Sequence, residues 1–124
     1  MVECMNVTSF EKQMDALLAS NAHVIFFQEH KILKKEMKRI RRELKAAGRQ
    51  IHCSPCNEGG KKASAGVGVM WRECEVKIYP ERIHGPELRK AYERGMVAKY
   101  TMGVGWERAY SMYNVYGESG GRGI

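Results

Sequence analysis

Val24, Ile25, Phe26 and Phe27 form the longest uninterrupted run of β-branched and aromatic residues in this chain. Such a run suits a strand buried on both faces. It stops at Gln28, Glu29 and His30, three polar groups at what would be the carboxyl end of the strand. Ahead of it, Phe10, Met14, Leu17 and Leu18 recur at the spacing of an amphipathic helix. Thr8 with Glu11 three residues on matches a capping box, Ser9 is the alternative cap, and Asn21 is the predicted stop. Behind it, Leu33, Met37, Ile40, Leu44 and Ala47 alternate steps of four and three, which predicts a second helix ended by Gly48. With residues 2–7 as a first strand, the opening part of the chain reads β-α-β-α, the order that favours parallel strands packed on helices.

The texture then changes. Residues 51–53 predict a third strand, and 57–64 (N-E-G-G-K-K-A-S) a polar loop. Residues 65–71 (A-G-V-G-V-M-W) alternate small and apolar positions, and glycines in such a strand signal a close neighbour. A short strand is expected over 75–79, ended by Pro80. Pro86 opens a single helical turn within 83–92. Residues 96–102 and 108–116 predict a hairpin, and 117–124 a loop. The fold class expected is α/β (α+β), one mixed sheet with two N-terminal helices packed on it.

At 124 residues and 44% hydrophobic content the chain fits one domain with a core. No apolar run approaches the ~20 residues that span a bilayer, so no membrane association is expected. Residues 1–6 carry neither a basic stretch nor an apolar one, so no signal peptide is expected either. The protein is therefore expected inside the cell, in cytoplasm or nucleus, with Cys4, Cys53, Cys56 and Cys74 reduced.

The net charge of +7 is concentrated: residues 31–49 hold nine basic and two acidic side chains, and the remainder is neutral. The second helix thus has a basic face (Lys31, Lys34, Lys35, Lys38, Arg39, Arg41, Arg42, Lys45). It is either a phosphate-contacting surface or, the plainer reading, a solvated outer face. The Cys53-x-x-Cys56 pair lacks the second pair of ligands that zinc requires and does not open a predicted helix, so loop cysteines without function are expected. Residues 117–123 lack the Gly-Lys-Ser/Thr of a P-loop.

Asn6 closing the first strand, a buried strand ending in Gln28-Glu29, S-A-G-V-G-V-M at 64–70 and V-Y-G-E-S-G-G at 115–121 occur in an order that resembles the exonuclease–endonuclease–phosphatase superfamily. That superfamily includes deoxyribonuclease I, abasic-site endonucleases, inositol polyphosphate phosphatases and retrotransposon endonuclease domains. The resemblance implies a DNase I-like β-sandwich and phosphoester hydrolysis with Mg²⁺, or Mn²⁺ in its place. It also implies that Glu29 is a metal-binding carboxylate and that Asn6 lies beside the metal and the scissile phosphate. Tyr116 matches the tyrosine that faces the phosphate. Ser119 stands where many members have a substrate-binding asparagine, and His30 where many have a threonine.

The family's Asp-x-Asn motif and terminal Asp-His pair, which orient and activate the nucleophile, follow the Tyr116 region in the family's order. Here Asp15 is the only aspartate and no histidine follows an aspartate. The expectation is a single truncated domain over 1–124, a fragment of a Mg²⁺-dependent phosphodiesterase or endonuclease of retrotransposon-like type, that is catalytically incomplete. Whether it is an enzyme is left open, as are its oligomeric state and its substrate, nucleic acid or another phosphoester. The alternative is a non-catalytic nucleic-acid-binding module using the 31–49 helix. A third reading is an unstable fragment whose sheet leaves an apolar face open.

Overall fold

The computed structural model describes residues 2–60, 62–73, 76–104 and 108–117. The elements run β1 (Val2–Asn6), α1 (Phe10–Ala19), β2 (Val24–Gln28), α2 (Lys34–Ala46), β3 (Gln50–Cys53), β4 (Val67–Trp71), β5 (Lys77–Glu81), α3 (Pro86–Glu93), β6 (Val97–Val104) and β7 (Arg108–Val115). Two sheets result, ordered β1-β2-β4-β3 and β5-β6-β7. Among the described residues only β1 and β2 run parallel, with Asn6 opposite Gln28. The β2–β4 and β3–β4 pairs and the whole second sheet are antiparallel.

Alternation along β2 builds both halves of the core, because successive strand residues face opposite sides. Ile25 and Phe27 join Phe10 and Leu17 of α1 and Ile40 and Leu44 of α2 in one cluster. Phe10 and Phe27 meet at 5.0 Å between ring centroids. Val24 and Phe26 point the other way, with Val67, Val69 and Trp71, onto Ile78, Ala98, Tyr100 and Met102 of the second sheet. The inner face of the first sheet is therefore covered, and the expectation that it would lie open does not hold.

Asn114 ties the two sheets together. It is 5% exposed. Its Nδ2 donates to the Phe27 and Gly68 carbonyls at 3.0 and 2.9 Å, and its Oδ1 accepts from Gln28 Nε2 at 2.7 Å. Asn114→Leu removes all three of these hydrogen bonds from the interface between the sheets. A loss of roughly 2–4 kcal/mol is expected, readable by urea unfolding against wild type.

Local geometry corrects several boundaries. Thr8 adopts φ +59° instead of capping α1, and Ser9 takes the cap position without a side-chain hydrogen bond. The helix ends at Ala19, before Asn21. Gly48, just beyond α2, has the φ of +78° that favours glycine there. Pro80 does not end its strand but lies inside β5, opposite Tyr100. A proline is tolerated there because β5 is an edge, where its missing N–H breaks no ladder. Pro86 opens an eight-residue helix, not a single turn. The glycine-containing β4 is closely approached: a Cβ on Gly68 would lie 2.6 Å from the His52 carbonyl and 2.7 Å from Phe27. Among the described residues no helix is long and apolar enough to cross a membrane.

Candidate active site

Parallel pairing brings the carboxyl ends of β1 and β2 side by side, and the chain leaves β2 through a sharp turn. Glu29 and Lys31 both adopt left-handed backbone, φ +57° and +53°. For residues with a Cβ this costs on the order of 1–2 kcal/mol each. Surrounding backbone hydrogen bonds hold the turn: Phe10 N to His30 O at 3.0 Å, His30 N to Gly66 O at 3.1 Å and Lys31 N to Ala65 O at 3.2 Å.

The turn presents Glu29 to three partners. Tyr116 donates its hydroxyl to Oε1 at 2.6 Å, and Asn6 Nδ2 donates to the same oxygen at 3.1 Å. Lys31 Nζ stands 3.7 Å from Oε2. The Tyr116 hydroxyl is the main cause, ahead of Asn6, of a Glu29 pKa below the ordinary carboxylate value; partial burial opposes it and Lys31 adds a smaller lowering. Glu29 is thus an ionised carboxylate at neutral pH, 16% exposed. The Asn6 amide is fixed from its other end, where Oδ1 accepts from Thr8 N at 3.0 Å and Thr8 Oγ1 at 3.4 Å. Tyr116 is anchored through its backbone N–H to Met96 O at 2.8 Å.

Asn6, Glu29 and Tyr116, far apart in sequence, thus form one hydrogen-bonded cluster. Ser119 lies outside the described residues, as does Cys74. Gln28 turns away from the cluster to Asn114. His30 is only 1% exposed. Its Nδ1 accepts from Ile32 N at 2.8 Å, which places the proton on Nε2, 2.9 Å from the Ser54 carbonyl it donates to. Burial pushes its pKa down to about 4. It is a neutral strut behind Glu29. Sequence reasoning missed Asn114 and Ser54, and it placed Lys31 on the basic helix face, whereas Lys31 lies ahead of α2 in the turn after Glu29. Asn114 had a readable signal, a polar side chain at an inward position of a predicted strand.

Cys53 ends β3, and Cys56 lies in the loop that follows it. Both cysteines are buried and unbonded. Cys53 packs in the helix-side core, and Cys56 Sγ donates to the Ile32 carbonyl at 3.3 Å. Burial raises the pKa of both thiols, which keeps them protonated and unreactive. Among the described residues no three His, Cys, Asp or Glu side chains gather as a metal cluster. Beside Tyr116 opens a cleft of about 490 Å³, whose lining includes Asn57, Ser64, Ala65, Lys90 and Arg94.

No protein-family model matches the chain, and no curated protein sequence does. Solved structures do. The AP endonuclease LMAP from Leishmania major superposes with a TM-score of 0.63 over 97% of this chain, at 18% identity. The fold is DNase I-like. The 3′ phosphatase NExo from Neisseria, bound to product DNA hairpin, gives a TM-score of 0.57 at 24% identity over 91% of the chain. The 3′-5′ exonuclease NExo from Neisseria meningitidis gives 0.51 at 24% over 82%. This DNase I-like chain spans only 40%, 39% and 36% of those three proteins, respectively.

Proposed function

We propose that this chain carries the carboxylate-bearing part of a Mg²⁺-dependent phosphodiesterase of the endonuclease type, acting on nucleic acid. The observation that supports it is the Asn6–Glu29–Tyr116 cluster at the ends of the parallel strands. The donor set fits the ion through the Glu29 carboxylate, a hard ligand: Mg²⁺ commonly takes one or two carboxylates and keeps water and substrate oxygens for the rest. The Asn6 amide holds that carboxylate through Nδ2 while its Oδ1 faces Thr8. When bound, the ion supplies Lewis-acid stabilisation of charge on the phosphate oxygens. Glu29 would hold it, with Asn6 beside it. Tyr116 fixes the direction of the carboxylate, and Lys31 adds positive charge next to it.

The polynucleotide substrate is supported by the similar structures, named as an AP endonuclease, an exonuclease and a DNA-bound 3′ phosphatase. The 124 residues contain neither an Asp-x-Asn nor an Asp-His pair. We therefore assign the nucleophile-activating groups to residues outside them, and read 1–124 as one part of a larger catalytic domain.

Calorimetric titration of Mg²⁺ and Mn²⁺ tests the metal assignment: Glu29→Gln should weaken binding at least tenfold, roughly the effect of removing a metal-site partner. Unchanged affinity overturns it. Plasmid nicking by the 124-residue chain is expected to be absent, and Glu29-dependent nicking would show that the chain supplies its own base.

A further inference from the structure

We propose that α2 and the edge strand β3 form a second anion site, separate from Glu29, that holds the phosphate backbone of a nucleic acid. Lys38, Arg41, Arg42 and Lys45 line, with Gln50 and Ile51, a concavity of about 340 Å³ between the helix and the start of β3. The basic face of α2 is not uniform. Arg39 is neutralised by Glu11 at 3.2 Å, Glu36 at 3.1 Å and Glu43 at 3.2 Å. Those last two are the only acids in residues 31–49. The four cations of the concavity have no ion-pair partner among the described residues. Their spacing places like charges at i,i+4 twice, Lys38 with Arg42 and Arg41 with Lys45, an arrangement that weakens a helix unless an anion neutralises it.

The position separates this site from Glu29. Gln50 pairs with Trp71, and Trp71 with Val24 at the start of β2, whereas Glu29 follows the other end of that strand. The concavity and the carboxylate therefore sit at opposite ends of the sheet. From Lys38 to Lys45 the stripe runs about 10.5 Å along the helix axis, the axial length of about three phosphates of one duplex strand. A membrane surface fits less well. A helix that lies on lipid needs an apolar face to insert, and that of α2 is turned to the core: Ile40 and Leu44 are fully buried, and the partly buried Met37 packs against the same cluster.

The test is fluorescence anisotropy of a short duplex of arbitrary sequence, titrated with the full chain in EDTA at roughly 50–200 mM salt. EDTA removes divalent metal, so the outcome does not depend on the Glu29 assignment. Combined Lys38→Gln, Arg41→Gln, Arg42→Gln and Lys45→Gln should weaken binding at least about tenfold and make the log–log salt slope shallower by about 3. Glutamine keeps good helix propensity, and loss of the like-charge repulsion should leave the variant's melting temperature equal or higher, which excludes unfolding as the cause. An unchanged slope overturns the proposal. So does no duplex binding by wild type, or a loss produced by Lys90→Gln with Arg94→Gln but not by the α2 changes. Binding only to phosphatidylserine vesicles would overturn it in favour of a lipid surface.

Discussion

Stability should fall by roughly 3 kcal/mol or more as the pH drops from about 6.5 to about 4, on the scale of 1.36 kcal/mol per pKa unit. The cause is His30, with His52 behind it. Each has its folded pKa pushed down to about 4 from an ordinary 6.5, His30 by burial, and His52 by burial and then the charge of Arg41. The folded state keeps both rings neutral, whereas the unfolded chain protonates them near 6.5. Between those values the unfolded state binds more protons, so stability rises with pH. It is complete above 6.5 and drains away as pH falls toward 4. For His30 alone the shift corresponds to roughly 3 kcal/mol, a large share of a typical total of about 5–15 kcal/mol. His52 is half-buried and should add less. Glu29, whose pKa is also lowered, contributes stability that is lost only in a more acidic window, below the ordinary carboxylate value. Urea titrations at closely spaced pH values read the slope directly, and His30→Gln should remove much of it. Stability that stays flat across that range would mean His30 is not a buried neutral ring.

The second large effect is expected at Gly95, where Gly95→Ala should cost about 4 kcal/mol or more, or prevent folding. Its φ is +79°, and a Cβ there would lie 2.5 Å from Gly66 N, 2.6 Å from Pro55 O and 2.8 Å from Gly66 Cα. All three are backbone atoms, so no side-chain rotation relieves the clash. The contact also carries a hydrogen bond, Gly66 N to Gly95 O at 2.9 Å. Gly48 is the internal control: its φ of +78° is nearly the same, with nothing within 4 Å of a Cβ. Gly48→Ala therefore meets backbone strain alone, on the order of 1–2 kcal/mol. The difference between the two variants in thermal or urea unfolding isolates the clash, and equal costs would contradict the packing of this corner. Displacing Gly66 also matters for the site, because its carbonyl accepts from His30, the residue after Glu29.

Periodicity and local residue choice determined the helices α1 and α2, the doubly buried β2 and the hairpin partners β6 and β7. These elements depend on which side chains recur on one face, and that is written in spacing. A strand-end asparagine and a Gln-Glu pair likewise mark Asn6 and Glu29 as candidates before any coordinates, and the order of such segments carries the resemblance that implies a DNase I-like fold. Other features depend on partners distant in the chain. Pro80 stays in its strand because β5 is an edge, and edge position is a property of sheet order, which spacing does not encode. The Cys53-x-x-Cys56 spacing does not say that both thiols lie in the interior, which packing decides.

His30 stands where many members of the resembled superfamily have a threonine. Tertiary contacts from Ser54 and Ile32 make it a neutral strut instead. The basic face of α2 reads as a single stripe in the sequence, and only folding divides it. Glu11, brought from α1, completes the neutralisation of Arg39, and β3 closes a concavity around Lys38, Arg41, Arg42 and Lys45. Charge and periodicity are local and survive in the sequence; which groups end up within a few ångströms of each other is settled by the packing of sheets and helices.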